Sequence, residues 1–180
     1  MTRAQLEHII RAASAIADDR ELIVIGSQSI LGQFPDPPAE LCVSMEADVY
    51  PRNVPERWDL IDGSIGEGSP FHEMYGYYAQ GVGEETAILP SGWKDRLIPI
   101  SNENTRGATG WTLEVHDLVA SKYAAGREKD RDFVCAAIRH GLVNAQVLDR
   151  RIRDLPLAPD RRDRLLEVMS GDLRRGGQLI

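Results

Sequence analysis

Hydrophobic and polar residues alternate most regularly between Leu41 and Tyr50, where the chain reads LCVSMEADVY. The odd-numbered positions are apolar and the even-numbered positions are mostly polar. A period of two is typical of a strand that buries one face, so this segment is predicted to be a strand that ends at Pro51. Glu46 and Asp48 lie two residues apart on its polar face.

Apolar runs predict three further strands. The segment Glu21–Ile25 reads ELIVI and is rich in branched side chains, as buried strands are. Thr86–Leu89 and Arg96–Ile100 are expected to be strands on either side of a PSGW turn. Phe71–Gln80 is rich in aromatic residues, and its side chains are interpreted as packing, with stacking on a nucleotide base as the alternative.

Helical periodicity covers most of the remaining chain, with Thr112 expected to cap the helix that follows it. The predicted helices are residues 3–18, 28–31, 55–61, 112–125, 128–140, 145–154 and 159–173. The segments 62–70 and 102–110 are expected to be loops. This order predicts an α/β (or α+β) fold with a mixed sheet flanked by helices. The chain is expected to form a single domain, 1–180, with an α/β core in 1–112 and a helical C-terminal part in 113–180.

Composition excludes several classes of protein. A net charge of −7 argues against broad binding to a nucleic-acid backbone. The arginine-rich stretch from Arg150 to Ile180 is interpreted as solvated helix surface, or as a local basic face for RNA or an acidic partner. No apolar run is long enough for a membrane span, and no signal-peptide block is recognisable. With only two cysteines and no disulfide framework, a cytoplasmic location is expected.

Glu46 and Asp48 are candidate metal ligands. Two close carboxylates repel each other, and a hard divalent cation such as Mg²⁺ or Mn²⁺ removes that repulsion. An ordinary solvent-facing strand would also carry acids, so the pair alone leaves both interpretations open.

Gly26 and Ser27 are candidate phosphate-binding residues. They follow the first predicted strand and precede a short helix that Ser27 is expected to cap. Glycine lets a phosphate approach the backbone closely, and the serine hydroxyl adds a donor. A purely structural turn is the alternative.

Together these features resemble the polymerase-β-like nucleotidyltransferase superfamily, in which a glycine-serine turn is followed by an acid-x-acid strand. Within it, the chain resembles a compact bacterial group related to abortive-infection (AbiEii-like) toxin nucleotidyltransferases. The closer resemblance rests on GSQSILG (Gly26–Gly32), VSMEADVYP (Val43–Pro51) and HDLVASKYAAGREKDRDFV (His116–Val134). It covers roughly residues 20–140.

The resemblance implies a metal-dependent transfer of a nucleoside monophosphate from a nucleoside triphosphate to a hydroxyl acceptor. RNA, a protein or a small molecule are all open as the acceptor, and an antitoxin protein is implied as a partner. Lys122 is implied to contact nucleotide phosphate, and Asp130 to lie at the same site. The alternative for Lys122 is a side chain that extends along apolar surface to place its charge in water. The alternative for Asp130 is a solvent-exposed helix start with several ion pairs.

Two departures from the superfamily pattern support a second hypothesis. The first acid is Glu46, where the superfamily usually has aspartate, and no third acid is securely placed; Glu85 and Glu114 are candidates by position. The second hypothesis is a catalytically inactive nucleotide- or metal-binding regulatory protein. A third is an interaction domain whose acid pair faces bulk water.

Overall fold

The computed structural model describes residues 1–177, so the last three residues of the predicted helical part lie outside the described residues. The helices are α1 (Arg3–Ala17), α2 (Ile30–Gln33), α3 (Trp58–Ile65), α4 (Pro70–Tyr75), α5 (Val115–Ala125), α6 (Glu128–Arg139), α7 (Ala145–Arg153) and α8 (Pro159–Arg175). The strands are β1 (Glu21–Ile25), β2 (Glu46–Pro51), β3 (Tyr78–Gly81), β4 (Ile98–Ile100) and β5 (Thr109–Thr112).

The five strands form one mixed sheet in the order β3-β2-β1-β5-β4. The pairs β1–β2 and β4–β5 are antiparallel, whereas β1–β5 and β2–β3 are parallel. Helices flank the sheet and make up the C-terminal part, so the predicted α/β fold class is confirmed.

One face of the sheet packs against α1. Gly110 on β5 lies so close to this helix that a Cβ atom there would be 2.4 Å from Cδ1 of Ile10. Ala47 and Val49 of β2 point to the same face and are fully buried. Because side chains alternate along a strand, Glu46 and Asp48 point to the opposite face.

The chain divides into two compact units. The first contains residues 1–86 and 97–113 and holds all five strands; the second contains residues 87–96 and the chain from residue 114 onward. The predicted single domain, with its core ending at residue 112, stays a prediction.

A buried carboxylate organises the second unit. Asp117 on α5 is fully buried and accepts hydrogen bonds from Nε and Nη2 of Arg96, at 2.8 and 2.9 Å. Nε of Arg151 on α7 lies 3.0 Å from Oδ1 of the same carboxylate. Two guanidinium groups from separate segments therefore neutralise one acid that water does not reach.

The predicted start of the second strand is wrong. The strand begins at Glu46, whereas Leu41 ends a 3-10 turn and residues 42–45 form a loop. Val43 and Met45 were expected to be buried but are 76% and 49% exposed. Alternation of apolar and polar residues therefore continues beyond the strand into the loop, and it does not mark where the strand begins.

Two strand assignments also differ from the prediction, and α3 extends to Ile65, into the segment 62–70 that was expected to be a loop. Thr86–Leu89 is not a strand, because Thr86 ends a 3-10 turn and the following residues are irregular. Conversely, β5 lies partly in the segment predicted as a loop. Thr112 is therefore not a helix cap: its hydroxyl donates to the Ile98 carbonyl at 2.9 Å, and Glu114 caps α5 instead.

Candidate functional site

The sheet brings the two sequence motifs together at the end of β1. In the antiparallel β1–β2 ladder, Ile25 is the partner of Asp48, so Gly26 follows directly beside that acid. A Cβ atom on Gly26 would lie only 1.9 Å from Oδ2 of Asp48. The Asp48 carboxylate therefore occupies the space that any other residue would need at position 26.

Gly26 also has a backbone conformation that favours glycine. Its φ of 70° and ψ of −169° lie in a region that side chains rarely adopt. Ser27 begins a 3-10 turn, Ser27–Ser29, whose N-cap residue is Gly26. The predicted capping role of Ser27 is therefore wrong, although the residue lies in the turn as expected. The Ser29 hydroxyl ties this turn back to β1 by donating to the Val24 carbonyl at 2.7 Å.

A second set of hydrogen bonds links the turn to the acidic strand. Gln28 is fully buried, and its side-chain amide donates to the Ser44 carbonyl at 3.0 Å. The Ser44 hydroxyl in turn accepts from the backbone N–H of Glu46 at 3.1 Å. The turn and the start of β2 are thus held in one network within the first unit.

Glu46 has a direct partner on the neighbouring strand. Tyr78 lies beside it in the parallel β2–β3 ladder, and its hydroxyl donates to Oε2 of Glu46 at 3.1 Å. Burial raises the pKa of Tyr78 to about 12, and the nearby charge of Glu46 adds to this shift. The hydroxyl therefore keeps its proton and acts as a donor at neutral pH.

The positions directly beside the acid pair on the neighbouring strands supply no third carboxylate. The register partners on this face are Tyr78 and Gln80 on β3 and Ile25 on β1. Glu85 is exposed in a 3-10 turn, and the Glu114 carboxylate caps α5 and contacts Nδ1 of His116 at 2.6 Å. Among residues 1–177, no three His, Cys, Asp or Glu side chains group closely enough to hold a metal ion.

The donor set nevertheless suits one hard cation. Glu46 and Asp48 share a face, are half-buried, and offer carboxylate oxygens, which Mg²⁺ and Mn²⁺ prefer. Because Gly26 has no side chain, the Asp48 carboxylate lies directly against the backbone of the turn. The residues present therefore fit a divalent cation held by two protein ligands.

Lys122 and Asp130 form a buried ion pair in the second unit. Nζ of Lys122 on α5 lies 2.9 Å from Oδ1 of Asp130 on α6, and Arg127 donates to the other carboxylate oxygen at 2.7 Å. These interactions hold the pKa of Asp130 below its usual value, although burial alone would raise it. The lysine does not snorkel and the acid is not solvated, since they are 6% and 1% exposed.

A protein family matches residues 4–167 and carries the description nucleotidyltransferase of unknown function (DUF6036). The chain belongs to this nucleotidyltransferase family. No curated protein and no solved structure gives a significant match. Within residues 1–177, no helix of this nucleotidyltransferase-family chain combines the length and apolar character needed to cross a membrane.

Three aromatic residues of this nucleotidyltransferase-family chain pack around His8. Phe71, Tyr75 and Tyr77 surround His8 of α1 with ring centroids 4.7–6.0 Å apart, and Nδ1 of His8 lies 2.8 Å from the Tyr77 hydroxyl. His8 is thus part of a packed aromatic cluster. Tyr78 is separate and faces Glu46.

Sequence reasoning missed the residues that support the site. The aromatic composition of Phe71–Gln80 places Tyr78 with the packing residues, and nothing in the sequence singles out Gln28 or Ser44. The usable signal for Tyr78 was its place in a short polar-apolar alternation, YAQG, which could have indicated a strand beside the acids. The bonds of Gln28 and Ser44 depend on the chain path and leave no comparable pattern.

Proposed function

We propose that the protein is a metal-dependent nucleotidyltransferase that moves a nucleoside monophosphate from a nucleoside triphosphate to a hydroxyl group. Membership of the nucleotidyltransferase family supports this type of activity. The family description does not name a metal, a nucleotide or an acceptor, so these three are proposed here.

One observation carries the proposal: the carboxylate of Asp48 lies directly against Gly26. A structural turn requires no acid at this place, and the acid is only half-buried. The contact brings a backbone that lacks a side chain next to an oxygen ligand for a hard cation. This pairing suits a metal-bound phosphate better than it suits an ordinary strand connection.

Each residue has a role in this proposal. Gly26 and Ser27 accommodate the phosphates, and Glu46 and Asp48 hold Mg²⁺ or Mn²⁺. A metal at this position would neutralise phosphate charge during the transfer. The acceptor oxygen bonds to the α-phosphorus as the bond to the β-phosphate oxygen breaks, pyrophosphate leaves, and the acceptor proton passes to a base or to water.

Lys122 is proposed to bind nucleotide phosphate, with Asp130 and Arg127 fixing its position. This follows from the resemblance to the abortive-infection toxin nucleotidyltransferases, which also suggests a protein or RNA acceptor and an antitoxin partner. A cytoplasmic location is part of the same proposal.

A second candidate is a nucleotide- or metal-binding regulatory protein without catalysis. It is favoured by the neighbours of the acid pair, because the adjoining positions on β1 and β3 carry isoleucine, tyrosine and glutamine. In an active enzyme, a third carboxylate commonly acts as the base for the attacking hydroxyl, and none of these three residues is a carboxylate.

Thermal unfolding with Mn²⁺ and each nucleoside triphosphate tests the proposal. A ligand at a hundred times its dissociation constant should stabilise the protein by roughly 2.7 kcal/mol. We expect a metal-dependent shift for wild type that is lost in Asp48→Asn and weakened in Lys122→Met. Asp59→Asn removes an exposed acid from α3 and should behave as wild type.

Transfer of labelled nucleotide to RNA and to protein then separates the two candidates. Transfer that requires Asp48 supports the enzyme. Metal-dependent binding without transfer to any acceptor supports the regulatory protein. A well-folded wild type that binds no nucleotide with either metal would refute both.

A further inference from the structure

The glutamate at the first acidic position differs from aspartate by one methylene group, which adds a rotatable bond. Holding such a side chain in one conformation costs entropy, and a free Glu46 would sample several conformers in solution. A ligand carboxylate is effective only when a neighbouring group orients it.

Tyr78 supplies that orientation. Its hydroxyl donates to Oε2 of Glu46 at 3.1 Å, and the parallel register of β2 and β3 places the two residues side by side. One carboxylate oxygen of Glu46 is therefore engaged by the tyrosine.

The tyrosine ring is itself held in place. The ring of His72 on α4 packs against it, tilted by 48° with ring centroids 4.6 Å apart, and the backbone N–H of Gly68 donates to Nδ1 of His72 at 3.0 Å. A chain of contacts thus runs from the loop before α4 through His72 and Tyr78 to Glu46. A ring fixed in this way loses little further freedom when its hydroxyl bonds the acid.

We infer that Tyr78 is a positioning residue that orients the Glu46 carboxylate for a divalent cation and so compensates for glutamate in place of aspartate. This inference rests on the proposed function, because it assumes that Glu46 is a metal ligand. It further states that the tyrosine and the glutamate act as a pair: an aspartate at position 46 is too short to use the hydroxyl in the same way.

The affinity for Mn²⁺ alone, measured by electron paramagnetic resonance of the free ion, tests the inference on the full-length protein. Tyr78→Phe removes only the hydroxyl and should weaken Mn²⁺ binding on the order of tenfold. Tyr77→Phe is the matched control, since it removes the neighbouring hydroxyl, which contacts His8. Its Mn²⁺ affinity should stay within about twofold of wild type, the margin expected of an uncoupled site.

A double-mutant cycle separates positioning from a general structural role. In a Glu46→Asp background, Tyr78→Phe should change Mn²⁺ affinity by less than about twofold, because the pair is already broken. Unfolding curves of the metal-free variants check that each is folded.

The outcomes are distinct. Tyr78→Phe with the Mn²⁺ affinity of wild type, or an equal loss in both backgrounds, would overturn the inference and leave the proposed function standing. A folded wild type that binds no Mn²⁺, even with nucleotide present, would overturn both.

Discussion

Replacing Gly26 with alanine should destabilise the protein and damage the acid pair together. Alanine at a φ of 70° and ψ of −169° costs about 1–3 kcal/mol in backbone strain. Its methyl group would also lie 1.9 Å from Oδ2 and 3.0 Å from Cγ of Asp48, so the carboxylate must turn away. Forcing a side chain off its rotamer adds about 0.5–1.5 kcal/mol.

We therefore expect Gly26→Ala to lower the free energy of unfolding by about 3 kcal/mol. Urea unfolding followed by circular dichroism measures this loss. For a chain of this length it corresponds to a fall in melting temperature of roughly 6–12 °C.

Two matched variants separate strain from collision. Gly76→Ala places alanine at a φ of 72° and a ψ of 11° with no neighbouring atom within 4 Å of its Cβ. It therefore measures the cost of a positive φ without a collision, and this cost is a lower limit for the strain at Gly26, whose ψ is −169°. In an Asp48→Ala background, Gly26→Ala should cost about 1 kcal/mol less than in wild type, because no carboxylate has to move. If Gly26→Ala costs no more than Gly76→Ala and the same in both backgrounds, the proposed contact between Gly26 and Asp48 is refuted.

Two further predictions concern buried acids. Asp117→Asn leaves two half-buried arginines without their counter-charge and should lower the free energy of unfolding by about 3 kcal/mol. Asp149→Asn, at a more exposed ion pair, should cost less than about 1 kcal/mol. Urea unfolding measures both losses, and equal losses would contradict the reasoning. Burial opposes ionisation of Asp19, but hydrogen bonds from the backbone of Glu21 and Asn53 outweigh it and lower its pKa in the folded protein. Its contribution to stability is therefore present above the usual value of 3.8 and is lost as pH falls through the lower pKa of the folded state. The deficit of Asp19→Asn at pH 7 should therefore shrink as the pH is lowered below 3.8, and a constant deficit in urea unfolding would contradict this.

Much of the fold could be predicted because its signals are local. The branched run Glu21–Ile25 is a strand with the predicted bounds, and the helices of the C-terminal part begin and end within a few residues of prediction. Strand β5 could not be predicted in the same way. Its residues, TGWT, include three with strand propensity, but the segment is only four residues long and Gly110 interrupts it. Glycine is needed there because Ile10 of α1 fills the space that a side chain would take.

The candidate site was predictable as a set of motifs but not as a geometry. Spacing indicated that Glu46 and Asp48 share a face, and this prediction did not depend on the wrong start of the strand. The contact between Asp48 and Gly26 depends on the register of β1 against β2, which alternation does not specify when the loop between them is long. The tyrosine partner of Glu46 depends on a parallel neighbour that lies some thirty residues further along the chain.

Neither unit is synthesised as one continuous segment, because residues 87–96 belong to the helical unit but interrupt the sequence of the five-stranded unit. This segment leaves the ribosome before any of α5–α8, yet the partners of Ser91 and Arg96, which are Asp154 and Asp117, emerge only with those helices. Until then the Arg96 guanidinium has only its partner within the segment, the Ser91 carbonyl, and β4 cannot pair before β5 is made. Neither unit corresponds to one uninterrupted stretch of the chain. During synthesis, residues 87–96 therefore cannot form their native contacts with α5–α8 until those helices have been made.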